Sequence, residues 1–71
     1  MTTDDLLQAL NEVTSPSDAR VLLSRALRIT GAPQHRPLQL RELVQTCEAL
    51  AVEGGPIQRV AEAIAMAALR D

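Results

Sequence analysis

Apolar positions recur at helical spacing in four stretches of this 71-residue chain, and each gap between them holds proline, glycine or small polar residues. The first stretch predicts a helix near 4–13. Leu6, Leu7, Leu10 and Val13 fall at i, i+1, i+4 and i+7, which is one face of a helix. Thr2 or Thr3 stands where an N-cap is needed, and Asp4 and Asp5 lie in the first turn, where the helix dipole favours negative charge. Thr14-Ser15-Pro16-Ser17-Asp18 then stops the chain and restarts it. Ser15 suits the N-cap, Pro16 suits the first helical position, and Asp18 follows at the third.

The second helix is expected over 16–30, with Ala19, Leu22, Leu23, Ala26, Leu27 and Ile29 as its apolar arc. Gly31 follows as the residue free to turn left-handed at the C-terminus. Gly31 to Pro37 is the longest loop, and Pro33 and Pro37 discourage helix within it. A third helix is predicted near 40–53. Gln39 takes the cap position and Glu42 lies three residues on, a capping-box spacing; Leu38 and Leu43 take the hydrophobic-staple positions. Its stripe is Leu40, Leu43, Val44, Cys47, Leu50 and Ala51. Gly54-Gly55-Pro56 breaks the chain again, and the last helix is predicted over 56–70 with the stripe Ile57, Val60, Ala61, Ile64, Ala65 and Ala68. Its small alanines let a neighbouring helix approach closely.

The expected fold is all-α: one domain over 1–71, a small four-helix bundle built from two consecutive helical hairpins. The halves echo one another faintly. Asp5-Leu6-Leu7-Gln8 resembles Glu42-Leu43-Val44-Gln45, Pro16 resembles Pro56, and Ala26-Leu27-Arg28 resembles Ala68-Leu69-Arg70, although the spacings drift.

Composition narrows the function. The chain has 11 Leu and 11 Ala but no Phe, Tyr or Trp, so its core lacks the side chains that usually bury the most area. A single Cys excludes an internal disulfide and any zinc site built on cysteines. With no staple and a modest core, helix–helix association with a partner is one way to gain stability. All seven basic residues are Arg, and the net charge is −2, the wrong sign for a nucleic-acid binder held by bulk electrostatics. Charge is also uneven: residues 1–15 carry −3, residues 16–37 carry +3 (Arg20, Arg25, Arg28 and Arg36 against Asp18), and residues 38–71 carry −2. Arg20, Arg25 and Arg28 lie outside the apolar arc of the second helix, so this helix is expected to pair locally or to face an acidic partner.

No constellation of catalytic residues stands out. His35 is the lone histidine, in the proline-flanked loop beside Arg36, and reads as a solvated loop residue. Nothing marks an orienting acid or a nucleophile for it. Cys47 sits on the apolar stripe of the third helix and reads as a small buried hydrophobe. Glu42, Glu48, Glu53 and Glu62 are spread over solvent faces. Gly54-Gly55-Pro56 lacks the lysine and the preceding strand of a phosphate loop.

The segment from Ala51 to Ala63, AVEGGPIQRVAEA, is loosely similar to the start of LysR-type regulators. The resemblance covers about a third of the chain together with the helix that precedes it. It implies a helix-turn-helix with Gln58 and Arg59 exposed early in the second helix. In that family a further helix reads the major groove, whereas this sequence runs only to Asp71, and Gln58 and Arg59 are few donors for phosphate contacts.

The leading expectation is a non-enzymatic, adaptor-like protein-binding or oligomerisation module that takes a protein partner or a second copy as a homodimer. A small helix-turn-helix-like transcriptional regulator is the alternative. No cofactor, metal or small-molecule substrate is implied. On the last helix, a step of 100° per residue sets Met66 almost opposite the stripe, with Leu69 and Ala63 about 60° to either side. Met66, Leu69 and Ala63, together with Arg20, Arg25 and Arg28, are the candidate binding residues. Met1 is followed by polar and acidic residues, and no run approaches the ~18 apolar residues of a membrane span, so the expected location is the cytoplasm.

Overall fold

The computed structural model describes residues 1–32 and 36–70. His35 and Pro33, named above, lie outside the described residues. Among those described, there are four helices and no strand: α1 (Thr3–Asn11), α2 (Pro16–Thr30), α3 (Leu40–Ala51) and α4 (Gly55–Arg70). Each helix packs on the next in sequence, and α1 closes lightly on α4, so the four form a ring around one core. The fold is the all-α four-helix bundle expected from the pattern, with α1–α2 and α3–α4 as its hairpins.

Local chemistry fixes the helix starts. At α1, the Asp5 amide donates to Thr2 Oγ1 at 3.2 Å, and the Thr2 amide donates to Asp5 Oδ2 at 3.0 Å, a reciprocal capping box. At α2, the Asp18 amide donates to Ser15 Oγ at 3.2 Å and Pro16 opens the helix. At α3, the Gln39 amide donates to Glu42 Oε1 at 2.9 Å. Leu38 and Leu43 are both buried, as a staple requires, and the Leu38 amide donates to Met1 O at 2.8 Å, tying this loop to the start of the chain. Gly31 ends α2 with φ of 72°, a conformation that a Cβ would strain. The turn between α3 and α4 uses the left-handed region twice in succession, at Gly54 (φ 76°) and Gly55 (φ 57°).

The core is one cluster of small and branched aliphatics: Leu6 and Leu10 from α1; Ala19, Leu23, Ala26 and Leu27 from α2; Leu43, Cys47 and Leu50 from α3; Ile57 and Ala61 from α4; with Ala32 and Leu38 from the loop. Ala19 and Ala61 are wholly enclosed, which places neighbouring helices hard against their methyl groups. Thr46, a polar residue on the α3 stripe, is also fully buried. Its hydroxyl donates to Glu42 O at 2.7 Å, the bond to the preceding turn that lets a threonine enter a core, and lies 3.5 Å from Thr30 Oγ1. Among the described residues, no buried side-chain polar atom lacks a partner.

Several expected positions differ. α1 ends at Asn11, short of Val13, because the Val13 amide bonds back three residues to Leu10 O and the chain tightens out of the helix toward Ser15-Pro16. Val13 is therefore exposed. Ile29 is 68% exposed although the arc of α2 includes it. A 100° step sets Ile29 about 105° from the centre of the buried set, outside any arc that α1 and α3 can cover. Leu40 is exposed too, because Leu38 occupies the sheltered staple position at this end of α3. α3 stops at Ala51 and not at Glu53, leaving Val52 in the turn, and α4 begins one residue early, at Gly55.

Two expectations follow for stability. Asp5 is held below its ordinary value of 3.8, chiefly by the Thr2 amide and then by the Thr2 hydroxyl. Glu42 is held below 4.5, chiefly by the Gln39 amide and then by Arg36. A carboxylate with a lowered folded-state pKa contributes stability above its ordinary value and loses that contribution as pH falls through the lowered one. Thermal melts followed by circular dichroism will show a midpoint that drops as pH is taken below 4.5. Glu42→Gln will melt lower at neutral pH and show a shallower acid slope.

Cys47 is 2% exposed, and burial pushes its thiol up to about 11. The thiol therefore stays protonated and poorly reactive at neutral pH. Cys47→Ala will cost ~1–2 kcal/mol as a small cavity. Cys47→Asp, which buries an unpaired charge, will cost several-fold more or prevent folding. Chemical unfolding measures both. Labelling of the native thiol at a rate like that of the unfolded chain would contradict this placement.

Candidate functional site

The bundle leaves two sets of side chains outside its core, and they stand on different helices. The first belongs to α2. Ala19, Leu23, Ala26 and Leu27 point inward, so the same 3.6-residue period turns Val21 and Arg28 to the opposite pole, with Arg25 on one flank and Ser24 and Arg20 on the other. Arg20, Val21, Ser24, Arg25 and Arg28 together line a shallow depression of ≈ 420 Å³. Val21, an apolar residue 57% exposed, sits among the arginines. The sequence pattern draws attention to the arginines and misses Val21, whose only signal is its place opposite the buried arc.

The three arginines are not equivalent. Arg25 Nη1 reaches Glu53 Oε1 at 3.1 Å, joining α2 to the turn after α3. Both partners are well exposed, so this pair adds little stability. Arg20 and Arg28 have no ion pair among the described residues. The fourth basic residue of this segment, Arg36, is engaged elsewhere: its guanidinium grips both carboxylate oxygens of Glu42, at 3.1 and 3.0 Å, at the start of α3. The excess charge of residues 16–37 is thus partly neutralised inside the fold, and what remains is concentrated at Arg28 on the outer side of α2 and Arg20 on its α1 flank.

The second set belongs to α4. Ile57 and Ala61 face the core, and Ala63, Met66 and Leu69 are exposed, Met66 by 62% and Leu69 by 61%. The internal echo of the sequence breaks at this point. Asp5 and Glu42 occupy the same capping role in α1 and α3, and Pro16 and Pro56 both open second helices. Leu27, however, is buried while Leu69, its counterpart, is not. α2 has neighbours on both flanks, whereas α4 packs fully on α3 and only lightly on α1.

Beside the α4 residues lies a groove between α3 and α4 of ≈ 250 Å³, with Cys47, Ala51, Ala61 and Ala65 along its floor and Glu48 and Glu62 on its rims. Leu69 stands one helical turn beyond Ala65. Neither Glu48 nor Glu62 has an ion pair among the described residues. A second groove, between α2 and α3, has Ile29 and Val52 on its edges, both strongly exposed. A third, between α1 and α2, contains Asp4, Leu7, Arg20 and Leu23.

α2 and α4 do not touch, so Arg20, Arg25 and Arg28 are not brought together with Ala63, Met66 and Leu69. The candidate residues form two separate faces. Gln58 and Arg59 are exposed at the start of α4. Among the described residues, no three metal-ligating side chains come together. No described helix is long and apolar enough to cross a membrane. Comparison with known protein families, curated proteins and solved structures found no match to this chain.

Proposed function

We propose that this chain is a small, non-enzymatic, adaptor-like module that binds a protein, either another chain or a second copy of itself. The observation that carries the reading is the exposed pair Met66 and Leu69, set beside the apolar floor of the α3–α4 groove. Single exposed apolar residues are ordinary on small proteins. Here two large ones stand three positions apart on one helix and extend a groove lined mainly by alanine. A flexible methionine next to such a surface adapts to a partner's shape. Ala63, one turn before Met66, is small enough not to obstruct a partner helix. The grooves are shallow and open, which suits a protein surface better than a small molecule that must be enclosed. A setting such as the cytoplasm fits a chain whose one cysteine is a reduced core residue.

Affinity capture with the purified chain as bait tests this reading. The wild type will retain a protein partner in stoichiometric amount, and Met66→Glu/Leu69→Glu will lose it while melting within ~0.5 kcal/mol of the wild type, as exposed substitutions do. Retention of the same partner by that double variant would contradict the proposed role of α4. A gel shift at low salt separates this module from a DNA-binding regulator. The module predicts no binding; sub-micromolar binding with a steep salt dependence would favour the regulator.

A further inference from the structure

The two faces described above complement each other. The outer side of α2 offers an apolar residue, Val21, flanked by Arg20 and Arg28, which have no ion pair among the described residues. The α3–α4 groove offers Ala51 and Ala65 as its accessible apolar surface, over the buried Cys47 and Ala61, between Glu48 and Glu62, likewise without ion pairs among the described residues. Exposed unpaired charges are common; what distinguishes these is that each pair flanks apolar surface, with opposite sign on the two faces. Within one molecule they cannot meet, because α2 touches α1 and α3 but not α4.

We propose that the occupant of the α3–α4 groove is α2 of a second copy of this chain. Val21 enters over Ala51 and Ala65, the half-buried alanines of the groove, and Arg20 and Arg28 meet Glu48 and Glu62. The inference rests on the protein-binding reading and names its partner. Arg25, one turn after Val21 on the same face, is already bonded to Glu53 and adds no unpaired charge to the contact.

Two consequences follow. The contact joins two different patches: each copy gives its α2 to a groove and offers its own groove to an α2, so association closes as a reciprocal two-fold pair where both contacts form at once and otherwise continues into rings or chains. It is also weak. One helix laid in a groove of ≈ 250 Å³ covers less than the ~800 Å² per partner of a stable interface. Exposed charge pairs are moreover screened by salt.

Sedimentation equilibrium on the purified chain, with two charge-reversed variants, tests the proposal. At low salt the weight-average mass of the wild type will rise from 7.7 kDa at ~10 μM to well above that value at ~1 mM. At ~0.5 M salt the rise will be much reduced. Arg20→Glu/Arg28→Glu makes both faces acidic, and Glu48→Lys/Glu62→Lys makes both basic. Each variant alone will stay monomeric with the helicity of the wild type, and an equimolar mixture will regain association, since opposite charges again face one another across the contact. A wild type that remains at 7.7 kDa at ~1 mM overturns the proposal, as does a variant that associates alone or a mixture that does not. These outcomes are separate from the capture experiment. A monomeric wild type that still loses a different protein on Met66→Glu/Leu69→Glu retains the module reading and excludes the second copy as occupant.

Discussion

A core without an aromatic ring must be closed by bringing helices close together, and every other feature of this molecule depends on that closeness. Leu6, Leu10, Leu23, Leu27, Leu38, Leu43 and Leu50 supply most of the volume, and Ala19, Ala26 and Ala61 set the spacing. An alanine at a helix contact contributes little area, but it lets the opposing backbone come near enough for the leucines around it to pack without voids. Such an interior has little tolerance for helices that slide or fray. The ends are accordingly fixed by chemistry: Thr2 with Asp5, Ser15 with Asp18, Glu42 with Gln39 and Arg36, and a left-handed glycine at Gly31 and again at Gly54. Thr46 belongs to the same economy of space, with a hydroxyl satisfied inside its own helix so that no partner has to reach it.

The helices, their order and most of their caps were legible in the sequence because they rest on local rules. Ser15-Pro16 and Gly31 say where α2 starts and stops whatever surrounds it, and Leu38 with Leu43 announces a staple. Burial was legible only where periodicity and neighbours agree. Ile29 is apolar and near the right phase, yet exposed, because the width of a buried arc is decided by which helices stand alongside; Val13 is exposed because α1 ends before it, and Leu40 because Leu38 takes the sheltered place. Thr46 shows the converse: three residues after Leu43 and four before Leu50, its position marks it for the core while its hydroxyl marks it for the surface. Of the candidate surface residues, Met66 and Leu69 were legible as the pole opposite the α4 stripe. Val21 was not, since nothing local distinguishes an apolar residue at an outer pole from one in a core.

On α4, Ile57 and Ala61 turn inward, and Met66 and Leu69 stand outside. On α2 the leucines turn inward and the outer pole goes to Val21 and arginine. The fold consequently separates charge and apolar surface onto two faces that the ring of helices keeps apart. The internal pairs, Arg25 with Glu53 and Arg36 with Glu42, remove part of the charge and leave Arg20 and Arg28 on one side, Glu48 and Glu62 on the other. The binding proposals require the bundle to hold both faces at once, so they stand on the four helices forming one cooperative core and not two independent hairpins. The light contact of α1 on α4 is where that unity is most exposed to challenge.

Residue-by-residue amide hydrogen exchange in Leu10→Ala tests it most directly. Leu10 is fully buried and lies on α1, the helix that closes the ring. Truncating a buried leucine to alanine costs ~2–5 kcal/mol. In a single cooperative core, the slowest-exchanging amides of α3 and α4 will lose the same protection free energy as those of α1 and α2. Loss of protection confined to α1 and α2, with α3 and α4 exchanging as in the wild type, would show two separately stable hairpins and contradict the account.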